Sequence, residues 1–365
     1  MTSAGADGAT REEMARVLHL PADDDALHDS FNSLRRQLEE ISKRSAKRVL
    51  EKKRFGGQAG AGEPIILTTA SRLFAQKGYE FRKSFLVLTQ ERCGAPLQSL
   101  DFVSDAGGAT RRVNGWISEQ THGRIRDLIP IGELNANTRF VLANAIHFRA
   151  QWDKLFLDWA PESLPFHIRG GEAVNVPTMQ TLSRVCGYAK HEGFTVVSIP
   201  YIDRDLQFLI LFPDDAKGLP TLETQITAAL LAERAKIAER SLFLHLPKFK
   251  FEPPTLKLAS TLQGLGMKTA FDLPRGSANF DRMATRKPND YLYISEVFHK
   301  TFIAVDENGT EAAAAASTEG EWLGMEEMLD PSQAIEVKID RPFFYAIQHV
   351  PTGTCLFIGR VTDPR

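Results

Sequence analysis

Near its C-terminus the chain carries Thr310-Glu311 and then five alanines, Ala312, Ala313, Ala314, Ala315 and Ala316. This tract constrains the fold more than any other feature, because of what flanks it. Before it, Tyr291 to Val305 reads as a long strand, and Asp306-Glu307-Asn308-Gly309 supplies turn chemistry. After Ser317-Thr318 periodicity vanishes until about Ile335. That aperiodic segment, Glu319 to Ala334, is acidic, yet it carries Trp322, Leu323, Met325, Met328 and Leu329. Loops longer than about 12–15 residues inside a compact protein are usually functional or disordered. Large apolar side chains on such a loop need a partner. Taken alone, the alanines read as helix or flexible linker, since alanine is the best helix former.

The rest of the chain mixes strand-like and helix-like segments. Ile65 to Thr69, Phe140 to Ile146 and Leu206 to Phe212 are nearly unbroken β-prone runs, as in buried central strands. Ser241 to Phe251 alternates, with Leu242, Leu244 and Leu246 on one face. Thr10-Arg11-Glu12-Glu13 reads as a capping box opening a helix that Pro21 stops. Residues 25–43 form an amphipathic helix, with Leu27, Phe31, Leu34, Leu38 and Ile41 on one stripe. A basic run from Lys43 to Arg54 follows, then a glycine-rich linker at 56–62 that lacks a phosphate-loop ending. Leu256 to Leu265 reads as helical. Strands and helices do not follow βαβ order, so the expected class is α+β.

Charge and cysteine exclude more than they assign. With 44 basic and 46 acidic side chains the formal charge is −2, which gives no general pull toward nucleic acid or anionic membrane. No uncharged apolar stretch reaches the ~18 residues of a membrane span. Cys93, Cys186 and Cys355 are widely spaced and read as three buried thiols. No histidine pair has metal-ligand spacing, and no Gly-x-Ser-x-Gly elbow is present. His191-Glu192 lacks the second histidine of a zinc-protease motif. Metal and cofactor are therefore expected to be absent, and an enzyme is the remote alternative.

Several segments, in order, resemble the serpin family. Tyr293 to Phe302 followed by Val305 to Ala315 closely resembles the serpin hinge signature, and Asp340 to Phe344 with Leu356 to Val361 resembles its ending. Asn114-Gly115-Trp116 with Thr121 to Ile125, Asn144 to Phe148 with Trp152, Ile199-Pro200-Tyr201 and Leu246 to Phe249 match as well. The resemblance implies mixed β-sheets with surrounding helices and an exposed, mobile reactive-centre loop, here residues 307–341 of a single domain spanning 1–365. It also implies an inhibitor that a protease cuts as a substrate and that traps the protease covalently, one to one, by loop insertion. Target proteases would be serine-type, with cysteine proteases as an alternative. The inhibitor itself would be a monomer, acting outside the cell or alternatively in the cytoplasm.

The residues of the hinge suit that mechanism. Thr310, Ala312, Ala314 and Ala316 would offer small side chains to the core face of a sheet, with Glu311, Ala313 and Ala315 on the other. At roughly 1 kcal/mol net per ladder hydrogen bond, inserting about a dozen residues gains on the order of 10–20 kcal/mol. That rivals a domain's whole stability. Counting from Glu307 as the family does places the scissile bond between Leu323 and Gly324, suited to chymotrypsin- or elastase-like pockets. The segment from Gly324 to Pro342 is longer than usual, which keeps Met325, Met328 and Leu329 as alternatives.

Other positions carry over individually. Asn144 and His299 match a hydrogen-bonding pair where the sheet opens, and Trp152 matches a tryptophan beneath the insertion point. Lys47, Arg48, Lys52 and Lys53 lie near a helix that binds polyanions in some members, although a solvated helix end is the simpler reading. The match begins at what is normally the end of the second helix, so the first helix, first strand and most of the second helix are expected to be missing. A truncated, non-inhibitory serpin cleaved as a plain substrate is thus the alternative function.

Overall fold

The computed structural model describes residues 1–56, 62–168, 172–181, 184–287, 290–311 and 334–365. Ala312 to Ala316 and the candidate cleavage residues Leu323, Gly324, Met325, Met328 and Leu329 lie outside the described residues. From the N-terminus come α1 (Thr2–Gly5), α2 (Gly8–Val17), α3 (Asp24–Gly56), β1 (Ile66–Gln76), α4 (Lys83–Glu91), β2 (Gln98–Leu100) and α5 (Phe102–Gln120). The middle is strand-rich: β3 (Phe140–Gln151), β4 (Leu157–His167), β5 (Ala173–Gln180), β6 (Arg184–His191), β7 (Phe194–Pro200) and β8 (Leu206–Pro213). Then follow α6 (Leu219–Glu223), α7 (Ala228–Glu233), β9 (Glu239–Pro247), β10 (Phe249–Phe251), β11 (Leu256–Lys257) and α8 (Ala259–Gly264). The chain ends with β12 (Ile294–Thr301), β13 (Ile303–Val305), β14 (Gly309–Thr310), β15 (Ile335–Lys338), β16 (Phe343–His349) and β17 (Thr354–Val361). The expected α+β class is what forms.

Contacts group these elements into two compact units. The first comprises Met1–Glu40, Leu67–His147 and Glu252–Phe302. Its sheet runs β2-β1-β3-β12-β11. β12 pairs directly and in parallel with β3, Phe298 opposite Ala143 and Thr301 opposite Ile146. Strand alternation splits the apolar residues between two cores. Phe74, Val141, Ala143, Ala145 and Phe298 meet Val113 and Ile117 of α5. Leu73, Ala75 and Phe140 point to the other face, among Met14, Phe85 and Phe280.

Three expectations change in this unit. Thr10 does not cap α2: Asp7 stands at the N-cap and its side chain accepts from Gly8 N–H. Thr10 Oγ1 instead accepts from Asn279 N–H at 3.0 Å, and Glu13 Oε2 accepts from the amides of Lys268 and Thr269. Both side chains serve a distant loop whose amides need acceptors. The expected helix at 256–265 begins with the two strand residues of β11, because Leu256 and Lys257 pair with His299 and Phe298. The long strand expected from Tyr291 is split at Phe302 into β12 and β13.

The second unit comprises Ile41–Ile66, Phe148–Phe251 and Ile303–Arg365. Its large sheet runs β17-β16-β8-β7-β6-β9-β5-β4, with β15 parallel on β9. Every residue of β7 and β8 is buried, as the nearly unbroken apolar run at 206–212 requires of a strand covered on both faces. Val196, Leu209 and Leu211 pack under Leu219 and Leu222 of α6 and Leu231 of α7. The basic run is helical, as the solvated-helix-end reading expects. It continues α3, where Arg44 pairs with Asp205 at 2.7 Å, Arg48 pairs with Asp203, and Ser45 Oγ accepts from Ile65 N–H at 2.9 Å. These acids neutralise charges that would otherwise repel along the helix. Of the three free cysteines only Cys186 is buried, where burial pushes its thiol up to about 11; Cys93 and Cys355 are half-buried.

Candidate functional site

In the second unit the residues before the alanine tract are seated as a strand. Asp306 closes a tight turn, its carboxylate accepting from Asn308 N–H at 2.8 Å and Gly309 N–H at 3.2 Å. Burial raises the Asp306 carboxyl above its usual value in spite of those bonds. Gly309 and Thr310 then lie between two strands, opposite Gln151 and Ala150 of β3 on one edge and with Thr310 opposite Val305 of β13 on the other. Only glycine fits at 309: a Cβ there would stand 2.0 Å from the Ala150 carbonyl oxygen and 2.8 Å from Gln151 Cα. Thr310 is 1 % exposed. Glu311 donates its N–H to Ala304 O at 2.6 Å.

The Glu311 side chain is buried as well, and its φ of 53° lies outside strand geometry.

An aromatic platform holds this turn. Trp152 donates its indole N–H to Asp306 O at 2.8 Å and its backbone N–H to Asn308 O at 3.0 Å. Phe156 N–H reaches Glu307 O at 3.1 Å, and the Glu307 carboxylate pairs with Lys248. Tyr201 stacks on Trp152 with ring centroids 4.7 Å apart and planes 8° from parallel. Its hydroxyl meets Thr310 Oγ1 at 2.6 Å. Arg184, 2 % exposed, lays its guanidinium 4.9 Å from the Phe156 ring and 5.8 Å from that of Trp152. Burial lowers its pKa, and Nη1 and Nη2 find no hydrogen-bond partner among the described residues.

In the first unit Asn144 ties three strands together. It donates Nδ2–H to Ser71 Oγ at 2.6 Å, and its Oδ1 lies 2.9 Å from His299 Nδ1. An amide oxygen only accepts, so His299 carries its proton on Nδ1. Burial depresses the His299 pKa, keeping the ring neutral.

The structure thus brings Trp152, Glu307, Gly309, Thr310 and Glu311 into one neighbourhood and places Asn144 against His299. Lys47, Lys52 and Lys53 are exposed on α3, while Arg48 is half-buried in its ion pair with Asp203. Sequence reasoning gave no role to Tyr201, Lys248, Arg184 or Ser71. Tyr201 and Lys248 stood inside motif segments, but nothing local says which distant side chain each will touch. No helix among the described residues is long and apolar enough to cross a membrane, and no cluster of potential metal ligands occurs among them.

A family model, Serpin (serine protease inhibitor), matches residues 1–364. The chain belongs to the serpin family. A leukocyte elastase inhibitor from Xenopus tropicalis is 34 % identical across 100 % of this serpin and 89 % of its own length. The fold agrees with solved serpins. Serpin48 of the insect Tenebrio molitor superposes with a TM-score of 0.78 at 28 % identity, covering 99 % of this chain and 87 % of that one. The thermophilic serpin tengpin in its native state gives 0.80 at 25 % identity, covering 99 % and 84 %.

Proposed function

We propose that this serpin inhibits serine proteases of elastase or chymotrypsin type by covalent trapping. The observation that carries the reading is the seat of Gly309-Thr310, a short strand paired on both edges and followed, after Glu311, by five alanines in sequence. A protease serine Oγ attacks the Leu323 carbonyl carbon, the bond to Gly324 nitrogen breaks, and the amine leaves with the proton. An ester to Leu323 remains. The segment behind the ester then adds as a strand alongside β3, displacing β12 and breaking the His299–Asn144 bond. Small side chains lower the steric cost of entry, and the ladder bonds drive it. Relatives called leukocyte elastase inhibitors support the elastase-like target, as does an apolar residue at 323. The place of action, extracellular or cytoplasmic, follows that of the protease.

The test is incubation with neutrophil elastase and with chymotrypsin, followed by denaturing electrophoresis. A boiling-resistant band is expected at the mass of protease plus inhibitor less the C-terminal fragment, with the released fragment beginning at Gly324. Clean cleavage without adduct overturns the reading in favour of a substrate-like serpin, and a first cut outside 321–329 discards the Leu323 assignment.

A further inference from the structure

The hydroxyl of Tyr201 has a fixed address. Its ring is stacked on Trp152 and meets Phe148 edge-on at 5.1 Å, while its backbone N–H is bonded to Leu206 O at 3.0 Å. The residue is 0 % exposed, and burial pushes the phenol far above its usual pKa, so it stays protonated. Packing alone gives no reason for that oxygen, since phenylalanine would fill the same stack and a buried hydroxyl is costly unless bonded. Its bonding partner is Thr310 Oγ1, on the residue from which any added strand must start.

We propose that Tyr201 is a positioning residue for loop insertion, its hydroxyl holding Thr310 in register between Ala150 and Val305. Adding a strand costs chain entropy before the ladder repays it, and a first residue already locked in place removes part of that cost. Insertion competes with hydrolysis of the ester, so the seating of Thr310 sets the fraction of protease that is trapped. The proposal rests on the trapping mechanism above, and it makes a claim about native-state order and insertion rate that can be read separately.

Tyr201→Phe keeps the ring and removes the bond; Thr310→Val keeps the shape and removes the other partner. Each is expected to raise the ratio of cleaved to trapped inhibitor about 2- to 10-fold, the effect of one net hydrogen bond. The double variant should be no worse than either single one, and Thr310→Ser should restore parent behaviour. Hydrogen exchange of the 304–311 peptide should quicken by a similar factor in both single variants. A third arm cuts the loop with thermolysin, which forms no ester, and times the gain in heat resistance; the Phe variant should gain it about 2- to 10-fold more slowly.

If the parent gains heat resistance yet forms no adduct, the inhibitory reading fails while the third arm still decides the role of Tyr201. A merely structural tyrosine would lower the melting temperature and leave partition and insertion rate at parent values. That result, or a parent that gains no heat resistance when cut, overturns the proposal.

Discussion

His299 and Asn144 face each other in register on β12 and β3, and the ring Nδ1 lies 2.9 Å from the amide oxygen. The bond crosses the seam where two parallel strands pair directly. A protonated ring keeps the Nδ1–H but adds a buried charge that nothing in the bond neutralises.

Stability should therefore fall with acid. The unfolded chain binds a proton at His299 near pH 6.5, and the folded protein, with its value depressed, resists. This contribution is complete above about pH 6.5 and is lost as pH drops through the lower folded value. Melting curves from pH 8 to 5 should show it, and His299→Gln should flatten part of the slope. His28, His191 and His349 are depressed in the same direction, so some slope persists in the variant. An unchanged slope would remove His299 from the account.

Gly309→Ala should unseat the hinge. The added methyl meets main-chain atoms of β3, which cannot rotate away as a side chain can. Strain of about 1–3 kcal/mol is expected, read as a lower melting temperature and faster exchange of the amides at 309–311. Normal protection in the alanine variant would mean that β3 yields at Ala150.

Thr310→Arg should turn inhibitor into substrate. At 1 % exposure the site has no room for a guanidinium, and burying one unpaired is far costlier than leaving the loop outside. Cleavage by chymotrypsin should continue while the boiling-resistant adduct disappears. Persistence of the adduct at parent yield would show that insertion does not start at Thr310.

Lys248 and Glu307 should behave as a coupled pair. Both are largely buried, with side chains 26 % and 16 % exposed, so reversing either charge is expected to cost about 1–3 kcal/mol. The double swap, Lys248→Glu with Glu307→Lys, should regain most of it in urea melts. Additive losses would mean that the two charges contribute separately.

What the amino-acid order determined by itself was local chemistry. Asp306, Asn308 and Gly309 specify a turn through side-chain acceptance and freedom from a Cβ, which neighbouring residues suffice to decide. The apolar run at 206–212, interrupted only by Gln207, specifies a strand covered on both faces. Tertiary structure decided whatever depends on a partner far along the chain. Thr10 and Glu13 look like a cap but bond a loop more than 250 residues away. The basic run read as a solvated helix end, but which acids its arginines meet, Asp203 for Arg48 and Asp205 for Arg44, lay about 155 positions away. Tyr201 reaches Thr310 across 109 positions. Hydrogen bonds and ion pairs act over a few ångströms, so only folding, which sets those distances, selects among the many acceptors and charges that a sequence offers.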